Sequence, residues 1–393
     1  MSAMLRRILV PLASLRLTVL LFALSMVLIF AGTLAQSTQG IWQTIDGYFR
    51  SPIAWIEFQL FVPPQLARVP GALPFPGGYL IAGLLIINLI AAHAVRFKLT
   101  ARRFGIVLLH AGLIVLLAGE FVTGLLADEG LMTIDVGGSS NYLEDVREVE
   151  LAVIDRSAPD VDRVTALPQG LLEARTGGGI IRHADLPFSV RLDRWMQNSR
   201  LFRRVDEPTP ATAGIGLEAV PEALPPVRGV DGGAVNAPSA YLTLLGEGDE
   251  PLGTWLVSLN VDQAQPVVID GRSYDIQLRF RRTYKPYTLH LLEFRHDKFV
   301  GTETPRNFSS RVRLLDPSRD TDREVLIWMN HPLRYAGETF YQSAYKEGNT
   351  GTILQVVRNP GWLLPYIACA MVGGGMLIHF TVRLAGFLRR STR

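Results

Sequence analysis

The stretch FGIVLLHAGLIVLLAGEFVTGLL, residues 104–126, decides the fold class of this chain. It holds 23 residues with one acidic residue and no Lys or Arg. About 20 apolar residues are enough for a helix to cross the roughly 30 Å hydrocarbon core of a bilayer. Three further stretches are comparably long and apolar: residues 15–35, 78–95 and 361–382. The sequence therefore predicts an integral membrane protein with four transmembrane α-helices, three near the N-terminus and one near the C-terminus.

The first of these stretches has an alternative interpretation as a cleaved signal peptide. It has a basic start and a Thr-Leu-Ala ending, as signal peptides do. Its apolar run is longer than the 7–15 residues that are usual for the apolar region of such a peptide. We therefore favour a helix that remains in the mature protein.

Charge is unevenly distributed, although the formal net charge of the 393 residues is only +3. Eleven basic residues and no acidic ones lie near one set of helix ends: Arg6, Arg7, Arg16, Arg96, Lys98, Arg102, Arg103, Arg383, Arg389, Arg390 and Arg393. Because Lys and Arg near helix ends are enriched on the cytoplasmic side, we expect both termini and the link between helices two and three to be cytoplasmic. Residues 127–360 then lie on the periplasmic or extracytoplasmic side of a bacterial cytoplasmic (inner) membrane.

The predicted exported domain, residues 127–360, is acidic and rich in strand patterns. It holds 26 basic and 33 acidic residues, which argues against a general basic face for nucleic acid. Short runs such as YLTLLGEG, TWLVSLNV and YTLHLLEF, broken by Gly, Pro and Asp, predict a β-rich sandwich or distorted barrel. The Pro-, Gly- and Ala-rich residues 208–238 predict a long loop or a join between sub-domains. The predicted domains are thus 1–126, 127–360 and 361–393, the last a helix with a basic cytoplasmic tail.

Cysteine content limits the chemistry of the chain. The single cysteine, Cys369, excludes an internal disulfide, a Cys-x-x-Cys redox pair, a cysteine zinc site and covalent haem attachment through Cys-x-x-Cys-His. No catalytic triad spacing or nucleotide-binding glycine loop is present either. The sequence therefore predicts no catalytic residue.

His110 is the strongest candidate for a functional residue. It lies about 9–10 Å into the third helix at 1.5 Å per residue, and an ionisable residue at membrane depth is costly unless it has a role. A neutral imidazole can ligate haem iron, although an interhelical hydrogen bond is the simpler alternative. Gly105, Gly112 and Gly119 form a stripe about 200° round the helix from His110. We expect this stripe to pack within the chain and His110 to face a cofactor or a second protein.

Other histidines and one arginine cluster are weaker candidates. His93 and His379 lie near the cytoplasmic ends of helices two and four, where histidines at headgroup level are the simpler interpretation. His331 lies in the turn Asn330-His331-Pro332, which can be presented to a partner or be only a turn. The arginines at 279–282 match the chemistry of haem propionates, but a solvated strand face is the simpler interpretation.

Three stretches of sequence resemble one known family. Residues 12–36, LASLRLTVLLFALSMVLIFAGTLAQ, resemble the opening of the ResB (CcsB) family of System II cytochrome c biogenesis. Residues 105–123 resemble the family as well, with His110 at the position of its intramembrane histidine. The run NHPLRYAGETFYQS, residues 330–343, is similar to the family signature. The matching positions there are Asn330, Pro332, Leu333, Tyr335, Gly337, Phe340, Tyr341 and Gln342.

The resemblance implies a ResB-type subunit that works with a CcsA (ResC)-type membrane protein and apocytochrome c. Such a complex moves haem b, as a transient and non-covalent cargo, across the lipid bilayer and attaches it to apocytochrome c. By this resemblance His110 supplies one axial ligand of the haem iron and the partner supplies the other. The chain lacks the tryptophan-rich motif of the partner and is then an accessory, non-catalytic subunit. The alternative is a membrane-anchored envelope binding or structural protein with no haem role.

Overall fold

The computed structural model describes residues 3–63, 66–96, 100–158, 161–204, 208–227, 235–299, 301 and 305–391. They form two compact units. The helical unit runs from the N-terminus to Asp128 and resumes at Arg358, and the β-rich unit holds Glu129–Val227 and Gly233–Val357. Lys98, Arg393 and residues 228–234, on which parts of the predictions fall, lie outside the described residues.

The described residues contain helices of very different length. In chain order they are α1 Ala3–Leu12, α2 Leu15–Gln39, α3 Ile41–Thr44, α4 Gly78–Arg96, α5 Phe104–Leu126, α6 Gln169–Ala174 and α7 Leu364–Ser391. All except α6 belong to the helical unit, which also contains a hairpin of β1 Ile53–Glu57 and β2 Ala72–Pro76. Four of them, α2, α4, α5 and α7, are long and apolar enough to cross a membrane.

The prediction of four apolar helices, three N-terminal and one C-terminal, is confirmed, with different bounds. Helix α2 continues past residue 35 to Gln39. Helix α7 begins at Leu364 and runs to Ser391, beyond the predicted end at 382. The polar residues of its last turns are good helix formers, so the helix does not stop where the apolar composition does. Helix α1 was not predicted, because its 10 residues include Pro11 and are too few to span a bilayer.

A stripe of glycines lets α5 pack closely against α7. A Cβ atom added at Gly105 would lie 2.6 Å from the backbone nitrogen of His379, and one at Gly112 would lie 2.8 Å from Cγ2 of Val372. Gly119 faces Leu364 in the same way. Close backbone approach at small residues is the usual way for membrane helices to pack. The expectation that the glycine stripe packs within the chain is therefore confirmed.

A buried asparagine closes the break between α1 and α2. Asn88 of α4 is 4% exposed, and its Nδ2 donates to the carbonyl oxygens of Leu12 and Ser14. Its Oδ1 accepts a hydrogen bond of 2.7 Å from the hydroxyl of Thr18. Carbonyl groups at the end of a helix have no intrahelical partner. Asn88 thus gives the Leu12 carbonyl at the end of α1 a partner and links it to Ser14, whose carbonyl also accepts from the backbone nitrogen of Thr18 in α2.

The β-rich unit is built from sixteen described strands. They are β3 Asp128–Asp135, β4 Ser139–Asp155, β5 Arg163–Pro168, β6 Gly179–Ile181, β7 Ser189–Met196, β8 Ser199–Arg203, β9 Ala219–Ala223, β10 Ser239–Leu245, β11 Pro251–Ser258, β12 Gln265–Ile269, β13 Arg272–Lys298, β14 Pro305–Asp316, β15 Thr321–Trp328, β16 Leu333–Tyr335, β17 Glu338–Tyr345 and β18 Gly351–Arg358. The main sheet has the order β15-β14-β13-β4-β3-β18-β17-β16, with β12 on β13 and β5 on β4. A second sheet has the order β11-β10-β7-β6, and β8 pairs with β9.

Two hydrophobic cores share the two longest strands. One core joins the first part of β13 and the second part of β4 to β7, β10 and β11. The other joins the remaining parts of β4 and β13 to β3 and β14–β18. The prediction of a large β-rich middle region is confirmed. The connection between the cores is made by β4 and β13. The described part of residues 208–238 instead holds a short 3₁₀ turn, Gly214–Leu217, and β9.

Candidate functional site

The structure brings two of the three predicted intramembrane histidines together. Nδ1 of His110 on α5 lies 3.2 Å from Nε2 of His93 on α4, and the two rings meet edge to face with centroids 4.9 Å apart. Nδ1 of His93 lies 2.9 Å from the carbonyl oxygen of Leu89, one turn earlier in α4. His110 therefore points away from the glycine stripe, as expected, but its described neighbour is a histidine of the same chain.

His379 occupies a different place in the helical unit. Its backbone packs against Gly105, and its Nδ1 is buried without a hydrogen-bond partner among the described residues. Within that same part of the chain, no group of three or more His, Cys, Asp or Glu side chains is arranged to hold a metal ion. The three histidines were predicted at comparable depths in their helices, but among the described residues they do not form one cluster.

The predicted signature residues form the β15–β16 turn and the β16–β17 hairpin of the β-rich unit. Asn330 adopts a positive φ of 61°, which the turn requires, and Pro332 follows the exposed His331. The imidazole of His331 stacks on Trp328 with centroids 3.7 Å apart and planes 6° from parallel. This turn therefore presents a stacked aromatic pair to solvent.

The remaining signature residues divide into buried and exposed positions. Leu333 and Phe340 lie in the second core. Gln342 accepts a hydrogen bond from Ser310 and donates to Thr352, so it ties β17 to β14 and β18. Tyr341 is 39% exposed. Of this group, only Tyr341 has a side chain that is available to a partner.

Gly337 occupies the turn between β16 and β17. It has a φ of 80°, and Ala336 before it has a φ of 51°. Two consecutive positive φ angles are typical of the tight turns that join antiparallel strands. The place of Gly337 in the signature is therefore explained by backbone geometry.

An ion pair inside the β-rich unit was missed in the sequence. Nζ of Lys285 lies 2.6 Å from Oε1 of Glu338, and the hydroxyl of Tyr287 donates to Oε2 of the same carboxylate. Glu338 is 5% exposed and Tyr287 is 1% exposed. Burial and the neighbouring Glu338 carboxylate raise the pKa of Tyr287. The sequence feature that could have indicated this ion pair is a single carboxylate, Glu338, directly after the Ala336-Gly337 turn.

The arginine cluster at 279–282 is paired within the chain. Arg279 is 5% exposed and lies 3.0 Å from Glu150, and Arg282 lies 3.0 Å from Glu144. Arg281 contacts the carboxylates of Asp145 and Glu148 at 2.7 and 2.6 Å. The interpretation as a solvated strand face is thus wrong for Arg279. The guanidinium groups of the cluster pair with carboxylates of β4 and so hold β4 to β13.

A cavity of about 510 Å³ lies beside the C-terminal end of α2, in the helical unit. Its walls include Gln39, Gln43, Trp55 and Glu57. Tyr48 also lines it, with a hydroxyl that is buried and makes no hydrogen bond within the described residues. Burial raises the pKa of Tyr48.

A large part of the β-rich unit is similar to known proteins. Residues 252–353, from β11 to β18, match the model of the ResB-like family. Over 115 residues the chain is 30% identical to protein NrfI of Wolinella succinogenes, and over 114 residues it is 31% identical to cytochrome c biogenesis protein CcsB of Prochlorococcus marinus. Each match covers 29% of this chain, but only 13% of the first relative and 25% of the second. The resemblance in residues 330–343 is confirmed, whereas that of residues 12–36 and 105–123 lies outside the family model and stays a prediction.

Proposed function

We propose that this chain, whose residues 252–353 match the ResB-like family, is a subunit that acts in cytochrome c biogenesis. It is the ResB-type subunit of a System II complex that handles haem and presents it, with apocytochrome c, for covalent attachment. The observation that carries this proposal is the match itself, because it includes the whole hairpin of β16 and β17 and its turns. The four helices that are long and apolar enough to cross a membrane also support a function at a membrane.

The intramembrane part of the proposal rests on the donor chemistry of His110. Haem iron is commonly held by a neutral imidazole, and His110 lies on an apolar helix where a neutral ring is less costly than a charge. With His93 at Nδ1, the nitrogen of His110 that does not face His93 is Nε2. This donor fits an axial ligand of haem b as cargo. A CcsA-type membrane protein supplies the second axial ligand and the tryptophan-rich haem-handling motif.

The β-rich unit has the second role in the proposal. It lies on the extracytoplasmic side, where apocytochrome c receives its haem, and both chain termini are cytoplasmic. The turn with His331 and Trp328 is the partner-facing part of the signature, since its rings are exposed and stacked. No residue of this chain performs the attachment chemistry.

Co-expression with a CcsA-type partner and an apocytochrome c tests the proposal. We expect haem b to co-purify with the pair and a haem-stained c-type cytochrome to form only when both membrane proteins are present. A matched strain with the partner alone is the control. Unchanged cytochrome maturation without this chain would overturn the proposal and favour the anchored envelope protein.

A further inference from the structure

We infer that His93 is a positioning residue, which fixes the ring orientation and the tautomer of His110 through a hydrogen bond. The inference rests on the proposed role of His110 as a haem ligand. In this role His93 does not itself bind the haem iron. The contacts that carry it run from the backbone of α4 through His93 to His110.

The backbone contact fixes the tautomer of His93. A carbonyl oxygen only accepts hydrogen bonds, so Nδ1 of His93, 2.9 Å from the oxygen of Leu89, must carry its proton. The ring of His93 is neutral in this arrangement, because only a neutral imidazole can accept a hydrogen bond at Nε2. A neutral imidazole with its proton on Nδ1 has an acceptor lone pair on Nε2.

The second contact then fixes the tautomer of His110. Nε2 of His93 accepts, so Nδ1 of His110, at 3.2 Å, must donate. The neutral ring of His110 accordingly has its lone pair on Nε2, the nitrogen that faces away from His93. An iron ligand needs this protonation state, and metal-binding histidines usually donate their other N–H to a fixed acceptor.

The distance between the two histidines is that of a direct hydrogen bond. Axial ligands lie on opposite sides of the iron, and a metal–imidazole bond is about 2 Å long, so their nitrogens are about 4 Å apart. The observed 3.2 Å between the two facing nitrogens is shorter than that spacing. It is the distance of a direct N–H···N hydrogen bond.

Position on the helix explains why His93 can do this. The carbonyl of Leu89 lies one turn before His93 and accepts from its side chain, so the ring is anchored to its own helix. A carbonyl oxygen has two lone pairs and can accept this bond besides the helical one. Asn88, the next residue in α4, is itself fixed by the α1–α2 break. The acceptor that His110 meets is therefore held by backbone and not by a flexible side chain.

The expected consequence of losing this acceptor is a weaker and altered haem site with the ligand still present. Loss of an outer partner of a ligating histidine typically lowers affinity about 10–100-fold. A hydrogen bond from Nδ1 makes the imidazole more basic and stabilises ferric iron. We therefore expect the reduction potential of the bound haem to rise when His93 is replaced by Leu.

Four variants of the full chain, purified with the CcsA-type partner, test the inference. His93→Leu removes the acceptor, and His93→Gln restores an amide oxygen near the place of Nε2. His110→Gly removes the proposed ligand, and His379→Leu is the control for loss of an unrelated intramembrane histidine. The readouts are haem b content, the absorption spectrum and the reduction potential, each with and without added imidazole.

We expect His93→Leu to bind haem more weakly at a raised potential, His93→Gln to recover both values, and His379→Leu to match the wild type. His110→Gly should lose haem and regain it with imidazole, whereas imidazole should not rescue His93→Leu. Unchanged haem in His110→Gly would overturn the proposed haem site. Loss of haem in His110→Gly together with wild-type content and potential in His93→Leu would overturn only the positioning role. Equal rescue of both variants by imidazole would make His93 a ligand and also overturn it.

Discussion

At the residue scale, the buried carboxylate of Glu338 has two polar partners on β13. It neutralises the ammonium of Lys285 and accepts from Tyr287. Taking two charges out of water is costly, and the pair offsets that cost only while both partners are present. The signature hairpin is therefore coupled to β13 by charge as well as by apolar packing.

Replacement of Glu338 by Leu should lower the free energy of unfolding by about 3–5 kcal/mol, because it leaves the Lys285 ammonium buried and unpaired. The double variant Lys285→Met/Glu338→Leu should regain much of the loss. Denaturant unfolding of the full chain in detergent, followed by tryptophan fluorescence, measures both. Asp322→Ala, which breaks the exposed pair with Arg313, is the control and should change little. A double variant as unstable as the single one would contradict the assignment.

The acid stability of the hairpin should depend on Tyr335. Hydrogen bonds from Ser318 and Tyr335 hold the pKa of Asp316 below its ordinary value. A lowered folded-state pKa contributes stability above the ordinary pKa of about 3.9, and this is lost as pH falls through the folded-state value. Tyr335→Phe should move the pKa of Asp316 upward and shift acid unfolding to higher pH.

An acid titration of tryptophan fluorescence checks this, with the exposed Tyr341→Phe as the matched control. Equal acid midpoints for Tyr335→Phe and the wild type would show that the Tyr335 hydroxyl does not support the Asp316 carboxylate.

Residue identity alone indicated His110, since an ionisable residue in an apolar run is unusual whatever the fold. It could not indicate the contact with His93, because that depends on how α4 and α5 face each other. It also could not separate Gln342, which is tied to two strands, from Tyr341, which is exposed. Neighbouring positions in a motif can have opposite surroundings, and the motif does not record which is which.

At the element scale, α5 and α7 pack with their backbones close together at glycine positions. A Cβ atom at Gly375 would lie 2.6 Å from the backbone nitrogen of Leu109, whereas Gly373, two positions earlier, has nothing within 4 Å. The two glycines lie on different faces of the same helix. They therefore form a matched pair for a substitution test.

Gly375→Leu should force the two helices apart and lower the thermal stability of the purified protein, whereas Gly373→Leu should be tolerated. The physical reason is that the obstacle at Gly375 is backbone, which cannot move aside as a side chain does. Thermal unfolding in detergent compares the two variants directly. Equal losses at both positions would argue against the observed packing face.

Elements were predictable to the extent that they depend on composition. The four apolar helices follow from hydrophobic length, and α1 does not because it is short. The predicted strand run YTLHLLEF is only the second part of the 27-residue β13, which continues back across Lys285-Pro286 to Arg272. The pairing register shifts there, and the strand continues on either side. Pairing partners more than a hundred residues away leave no local trace in the sequence.

At the scale of the whole molecule, the distribution of charge predicts the topology. Cysteine substitution in a Cys369→Ser background tests it. A membrane-impermeant maleimide should label Asp320→Cys, in the turn after β14, on intact spheroplasts. It should label Arg102→Cys, in the link between α4 and α5, only after lysis. Labelling of both positions before lysis, or of Arg102→Cys alone, would contradict the orientation.

The order of synthesis determines when each strand and helix meets its packing partner. Strand β3 ends at Asp135, but its neighbour β18 begins at Gly351, more than 200 residues later. At about 5–20 residues per second, synthesis leaves the edge of β3 without its partner for roughly 10–40 s. Helix α5 likewise lacks its packing partner until α7, Leu364–Ser391, has been synthesised. A nascent chain thus exposes an unpaired strand edge on β3 and an unpacked glycine stripe on α5 until β18 and α7 have been synthesised, and termination before residue 351 leaves both without their partners.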